Sequence, residues 1–153
     1  MRTLLAVTVV LVGFAALAPA GEVVNIDKNG LALQGYDPVA YFTDSKPAKG
    51  APDFTATYKG ATYQFVSAEH REMFSQTPAK YEPQFGGFCG FAASINKLAP
   101  IEPENFQVVH DRLILLHNKK SSDMWRQDAE GNLKKADANW PTLSRQKPPT
   151  PKQ

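Results

Sequence analysis

The chain has a single cysteine, Cys89, in 153 residues. One thiol cannot close an intramolecular disulfide, so a cross-linked scaffold is excluded. Strong charge of either sign is also missing: 17 Lys and Arg stand against 15 Asp and Glu, a formal net charge of +2. Such a balance supplies no basic face for nucleic acid. The sequence contains no CxxC, HExxH, glycine-rich phosphate loop or GxSxG, which removes the common signatures of redox, zinc-protease, nucleotide and serine-hydrolase sites. What is there is ordinary for a globular protein: 42% hydrophobic, 21% charged and 10% aromatic residues. That composition excludes wholesale disorder, a collagen-like fibre and a multi-span membrane protein. The length fits one domain of the usual roughly 100–200 residues.

Met1 to Ala20 reads as a signal peptide. Arg2 is a short positive start, Leu4 to Ala18 is uncharged and apolar, and Ala18-Pro19-Ala20 offers small residues at a cleavage site. The apolar run is shorter than the roughly 20 residues a membrane-crossing helix needs. The expectation is a mature chain from Gly21, periplasmic or secreted, with no stable membrane span after cleavage. In an oxidising compartment a lone thiol is unusual. It is buried, held by a ligand, or used.

Beyond Gly21, hydrophobic patterning predicts hairpins and short helices. Val23–Ile26 and Leu31–Leu33 form a candidate hairpin around Asn29-Gly30, and Val39–Phe42 is an apolar patch after a Gly-Tyr-Asp-Pro turn. Phe54–Tyr58 and Ala61–Val66 alternate about Lys59-Gly60. Ser67 is placed to cap a helix from Ala68 to about Gln76. A second short turn runs from Pro78 to Tyr81, and a helix from Phe88 to Ile95. A further hairpin pairs Phe106–Val109 with Leu113–Leu116, followed by a helix from about Lys119 to Gln127. Glu130-Gly131-Asn132 is expected to break it before a last helical piece, about Leu133 to Asn139. Residues 21–141 then form one domain, and 142–153, rich in Pro and Lys, a disordered tail. No internal repeat is legible. Hairpins and short helices in no βαβ order predict an α+β fold, a small single domain.

Cys89, His70 and Met73 are the candidate metal ligands. Cys89 follows Gly86-Gly87 near a helix start, where free N–H groups favour a thiolate. Met73 lies one turn beyond His70. Thiolate, imidazole and thioether together suit copper before zinc. Cys89 and His70 would equally suit a nucleophilic pair, but no Asp or Asn that would orient the imidazole is identifiable. Each residue also has a plainer reading: Cys89 between Phe88 and Phe91 as core, His70 as an exposed or capping residue, Met73 and Met124 as core filler. His110 in a turn and His117 at a strand end read as solvated.

The segments Gly35-Tyr36-Asp37-Pro38-Val39-Ala40-Tyr41-Phe42, Tyr58–Phe65, Ser67-Ala68-Glu69-His70 and Gly86-Gly87-Phe88-Cys89, with the closing Lys135–Pro141, resemble the YHS-domain family and its exported single-domain members. The resemblance spans about Asn25 to Leu143. It implies a small domain related to short modules of copper transporters and metal-handling proteins, whose cysteines bind metal. In those modules cysteines follow Asp-Pro-Val, follow the strand-ending Phe, and recur four residues later. Here Ala40, Val66 and His70 stand at those positions. The surviving donors would be His70 and Cys89, completed by water, Glu69, a methionine or a second chain. The leading expectation is an exported domain binding copper or zinc through a thiolate–imidazole site. The alternative is a non-metal accessory module that binds a ligand or an envelope protein. A Cys/His enzyme ranks last.

Overall fold

A computed structural model describes residues 21–150; the expected signal segment lies outside them. The fold is α+β, built from two antiparallel hairpins and short helices. A short helix α1 (Ala40–Thr43) precedes β1 (Ala51–Tyr58) and β2 (Ala61–Phe65). Then come α2 (Ala68–Gln76), α3 (Pro78–Tyr81) and α4 (Gly90–Ser94). The second hairpin is β3 (Glu102–Val109) and β4 (Arg112–Leu116), followed by α5 (Lys119–Gln127) and α6 (Ala129–Leu143). Among the described residues no helix is long and apolar enough to cross a membrane.

The chain folds the same unit twice, which the sequence did not disclose. β3, β4 and α5 each begin 51 residues after β1, β2 and α2, and each pair has equal length: 8, 5 and 9 residues. Both hairpins carry the same register shift, between Ala51 and Thr55 in one and between Glu102 and Phe106 in the other. Both turn through two residues of positive φ, Lys59 (49°) with Gly60 (78°) and His110 (50°) with Asp111 (57°). Such turns match the twist of the strands they join. Both post-hairpin helices are capped alike: Ser67 Oγ accepts from His70 N–H at 3.1 Å, and Asn118 Oδ1 from Ser121 N–H at 2.9 Å. Ahead of each hairpin lies a left-handed turn, Leu33-Gln34-Gly35 (54°, 54°, 79°) and Phe85-Gly86-Gly87 (54°, 57°, 78°). At Gly86 a Cβ would meet the Val23 carbonyl oxygen at 2.2 Å, so that turn admits only glycine.

Equivalent positions fill the core. Phe74 and Trp125, on the same position of α2 and α5, are both fully buried. The halves join where the Tyr41 ring meets Phe106 edge-on at 4.8 Å and its hydroxyl donates to the Pro103 carbonyl at 2.9 Å. α6 closes the second half by packing on α4 and α5.

Several expected boundaries move. The first candidate hairpin shrinks to one bridge, Ile26 with Ala32, and the Val39–Phe42 patch becomes α1. The strands start earlier than their aromatic residues suggest, because the bulge lets Ala51 and Glu102 pair. Gly131 does not break a helix: α6 starts at Ala129, its first turn capped by Asp128 Oδ1 on Gly131 N–H at 3.0 Å, and Asn132 Nδ2 donates to the Met124 and Trp125 carbonyls. The tail begins later than residue 142. Leu143 and Ser144 are buried, and the Ser144 carbonyl accepts Val23 N–H at 2.8 Å.

Two consequences can be measured. Leu143→Ala should lower unfolding free energy by about 2–5 kcal/mol, the cost of emptying a packed leucine site. Deleting residues 147–153 should change it by less than about 0.5 kcal/mol. Urea titration of both variants separates the docked from the dispensable part of the tail.

Burial first, then Glu104 for Tyr41 and Glu82 for Tyr63, raises both phenols well above the ordinary 10.0. The folded protein therefore keeps protons that the unfolded chain releases from pH about 10 upward, so stability is intact below that pH and falls above it. Absorbance titration should show these two tyrosines ionising only as the protein unfolds.

Candidate functional site

The segment Tyr36-Asp37-Pro38 leaves the first left-handed turn extended and sends the Asp37 side chain inward, where it is fully buried. Its carboxylate collects four donors. Oδ1 accepts Val39 N–H at 2.8 Å and Ala40 N–H at 3.3 Å, opening α1. Oδ2 accepts Val66 N–H at 2.9 Å, just past β2, and His70 Nδ1 at 2.7 Å, in the first turn of α2. A buried carboxylate without such partners would be strongly unfavourable. An ionised carboxylate only accepts, so Nδ1 is the donor to it, and in the neutral ring Nε2 is the atom left with a lone pair. The His70 side chain keeps 14% of its surface, so Nε2 is sheltered but not sealed.

The positions where the YHS resemblance implies cysteines, Ala40, Val66 and His70, are thus all bound to one carboxylate. They do converge in space. What occupies the convergence point is Asp37, satisfied by the protein itself, and two of the three side chains around it are hydrocarbon.

Cys89 lies elsewhere. It occupies in the second half the place of Asp37 in the first. Asp37 N–H donates to the Ala48 carbonyl at 2.8 Å and Cys89 N–H to the Ala99 carbonyl at 3.0 Å. Asp37 accepts from Ala40 N–H, and Cys89 Sγ from Ala92 N–H at 3.5 Å. The thiol is 1% exposed and sits at the start of α4, which packs on α5, α6 and β4, whereas α2 with His70 packs on β1, β2 and α3. Among the described residues no hydrogen bond joins Cys89 to His70. Met73 is partly buried against the core, its counterpart Met124 39% exposed. Among the described residues no group of three or more His, Cys, Asp or Glu is placed to hold a metal ion. Glu69 is exposed in the first turn of α2.

The remaining histidines follow the plainer reading. His110 pairs with Glu130 at 2.7 Å on the surface, and His117 Nδ1 lies 3.0 Å from the Pro100 carbonyl. The missed residue is Asp37. Its signal was present in the sequence, an Asp three residues before an apolar helix start, but in Gly-Tyr-Asp-Pro it reads as a surface turn.

A second feature lies on the seam of the halves. A cleft of about 750 Å³ is bounded by the N-terminal segment 24–28, by Leu33 and Phe88 from the two left-handed turns, by Ile101, and by Pro148–Thr150. Its lining is mainly apolar.

No protein-family model, curated protein or solved structure matches the chain.

The site geometry predicts a graded response. Asp37→Ala strands three backbone N–H groups and the imidazole together and should cost about 3–5 kcal/mol. His70→Ala leaves the carboxylate its backbone donors and should cost about 1–3 kcal/mol. Urea midpoints of the two variants check the order. Cys89 should resist a thiol reagent in the native protein and react fully once denatured.

Proposed function

We propose that the chain is an exported domain of YHS type that acts as a non-metal binding module of the cell envelope. The carrying observation is the Asp37 carboxylate: the positions that hold metal-binding cysteines in the family it resembles are here tied up in a protein-satisfied hydrogen-bond joint. Cys89, the strongest soft donor, caps a helix in the other half. That α4 with Cys89 and α2 with His70 and Met73 pack on different elements supports a reading without a closed site of three or four ligands. The seam cleft supports binding of an organic molecule, since its volume falls in the range of about 300–1,000 Å³ usual for small-molecule sites.

One observation favours a second reading, in which His70 ligates copper. A metal-bound imidazole commonly donates its other N–H to a carboxylate, as His70 does to Asp37. Met73, one turn along α2, would then be the only soft neighbour on that helix face.

Metal analysis of the protein recovered from the periplasm separates the two. Under the binding-module reading, copper and zinc stay far below one ion per chain, and Cys89→Ser changes nothing. Copper near one ion per chain, with affinity lowered tenfold or more (about 1.4 kcal/mol) by His70→Ala, would establish the second reading instead.

A further inference from the structure

The seam cleft has a chemistry that narrows its occupant. Its deepest residues, Leu33, Phe88 and Ile101, are 4%, 1% and 4% exposed, so the hydrocarbon it offers comes chiefly from half-buried Val24, from Ile26, 38% exposed, and from exposed Pro100, Pro148 and Pro149. Two cations, Lys28 and Lys49, lie on the lining. Lys49 Nζ donates to the Gln34 carbonyl and rests 4.9 Å above the Tyr36 ring, which fixes the ammonium without neutralising it. Among the described residues neither lysine has an acidic side chain within salt-bridge distance. The acidic residue of the lining, Asp27, uses Oδ1 to accept Asn29 N–H at 2.8 Å and Leu31 N–H at 3.0 Å, so that oxygen is engaged by backbone.

The walls are also built to last. Gln34 Nε2 donates to the Ile101 carbonyl at 2.9 Å across the seam, and Asn25 Nδ2 to the Gly87 carbonyl at 3.0 Å. The N-terminal segment, the first left-handed turn and the loop before β3 are therefore held in one arrangement. A preformed apolar cleft with a few placed polar groups is the usual form of a small-molecule site.

We propose that this cleft binds an amphipathic monocarboxylate, a molecule with a hydrocarbon body and one carboxylate, the body lying against Val24, Ile26 and Pro100 and the carboxylate meeting Lys28 and Lys49. The proposal rests on the reading of the chain as a non-metal binding module and names its ligand class. A charged head at a partly exposed site contributes through both lysines, while burial of the hydrocarbon supplies the larger part of the affinity.

The probes are a dansylated fatty acid and its methyl ester, titrated by fluorescence into the full chain. The acid should bind saturably at one site per chain, and the ester at least fivefold more weakly. In the double variant Lys28→Glu, Lys49→Glu, both substitutions being on exposed side chains, the acid should lose at least tenfold in affinity while the ester is unchanged. Ile26→Glu, which sets a carboxylate at the wall, should weaken both probes. Absence of saturable binding, equal affinity for acid and ester, or indifference to the lysine reversals would overturn the proposal. None of these outcomes alters the metal content of the protein, so failure here leaves the binding-module reading to its own test.

Discussion

The first half of the molecule is organised around one buried carboxylate. Asp37 joins three elements: the start of α1, the end of β2 and the first turn of α2. A carboxylate in this position is stable only while its donors are held in place, and the donors are held in place by the elements it joins. That mutual dependence fixes the azimuth of α2, which in turn sets Phe74 against Tyr63 and Phe65, with ring centroids 4.7 and 5.2 Å away. His70 follows from the same constraint. Its ring is oriented because Asp37 is.

The second half meets the same topological problem with different chemistry. At the position of Asp37 stands Cys89, a weaker acceptor that reaches only Ala92 N–H, and at the position of His70 stands Ser121, whose hydroxyl closes a reciprocal cap with Asn118. Hydrogen bonding there is local, so hydrophobic burial has to hold the joint. β2 alternates buried and half-buried residues, as a strand with one covered face does, whereas Leu113 to Leu116 of β4 are all 0% exposed. The extra cover comes from α3 and α4, which pack on β4 beside α5 and the second left-handed turn. One half is fastened by a polar joint and the other by apolar cover.

Much of the local structure was legible in the sequence. Period-two aromatic residues around Lys59-Gly60, the Ser67 cap and the 3.6-residue spacing of α2 and α5 are short-range signals, and the hairpins and helices stand where those signals put them. The repeat was not legible because it is encoded mainly in backbone conformation. Lys59 and His110, Leu33 and Phe85, Phe74 and Trp125 are equivalent positions that share a φ value or a degree of burial but no side chain. Matching residues such as Met73 with Met124 and Gln76 with Gln127 are too sparse to show a period. The helix across Gly131 escaped notice because Asp128 caps it from just ahead, so the glycine falls in the first turn, where its cost is small. The Asp37 joint escaped notice because an Asp before Pro has a sufficient local explanation as a turn. Its long-range partners, Val66 and His70, lie 29 and 33 residues away, and no periodicity connects them.

The seam cleft follows from the same division. Two repeats packed through their cores need a contact that excludes water, and here Tyr41, Pro103 and Phe106 provide it on one side of the joint. On the other side the facing loops carry non-equivalent chemistry: Lys49 in the first half corresponds to Pro100 in the second, and Gly50 to Ile101. At Gly50 a Cβ would meet the Gln64 backbone at 2.5 Å, so that loop runs tight against its own hairpin and presents no side chain across the seam to Ile101. The gap is bounded by segment 24–28 and by Pro148–Thr150, and nearby Val23 N–H is tied to the Ser144 carbonyl. Backbone segments joined by a few hydrogen bonds span a space without filling it, because they bring no large side chains inward. Two units of the same geometry whose facing loops differ therefore leave a cleft at their junction. That is where a molecule with a hydrocarbon body and a charged head would be least exposed.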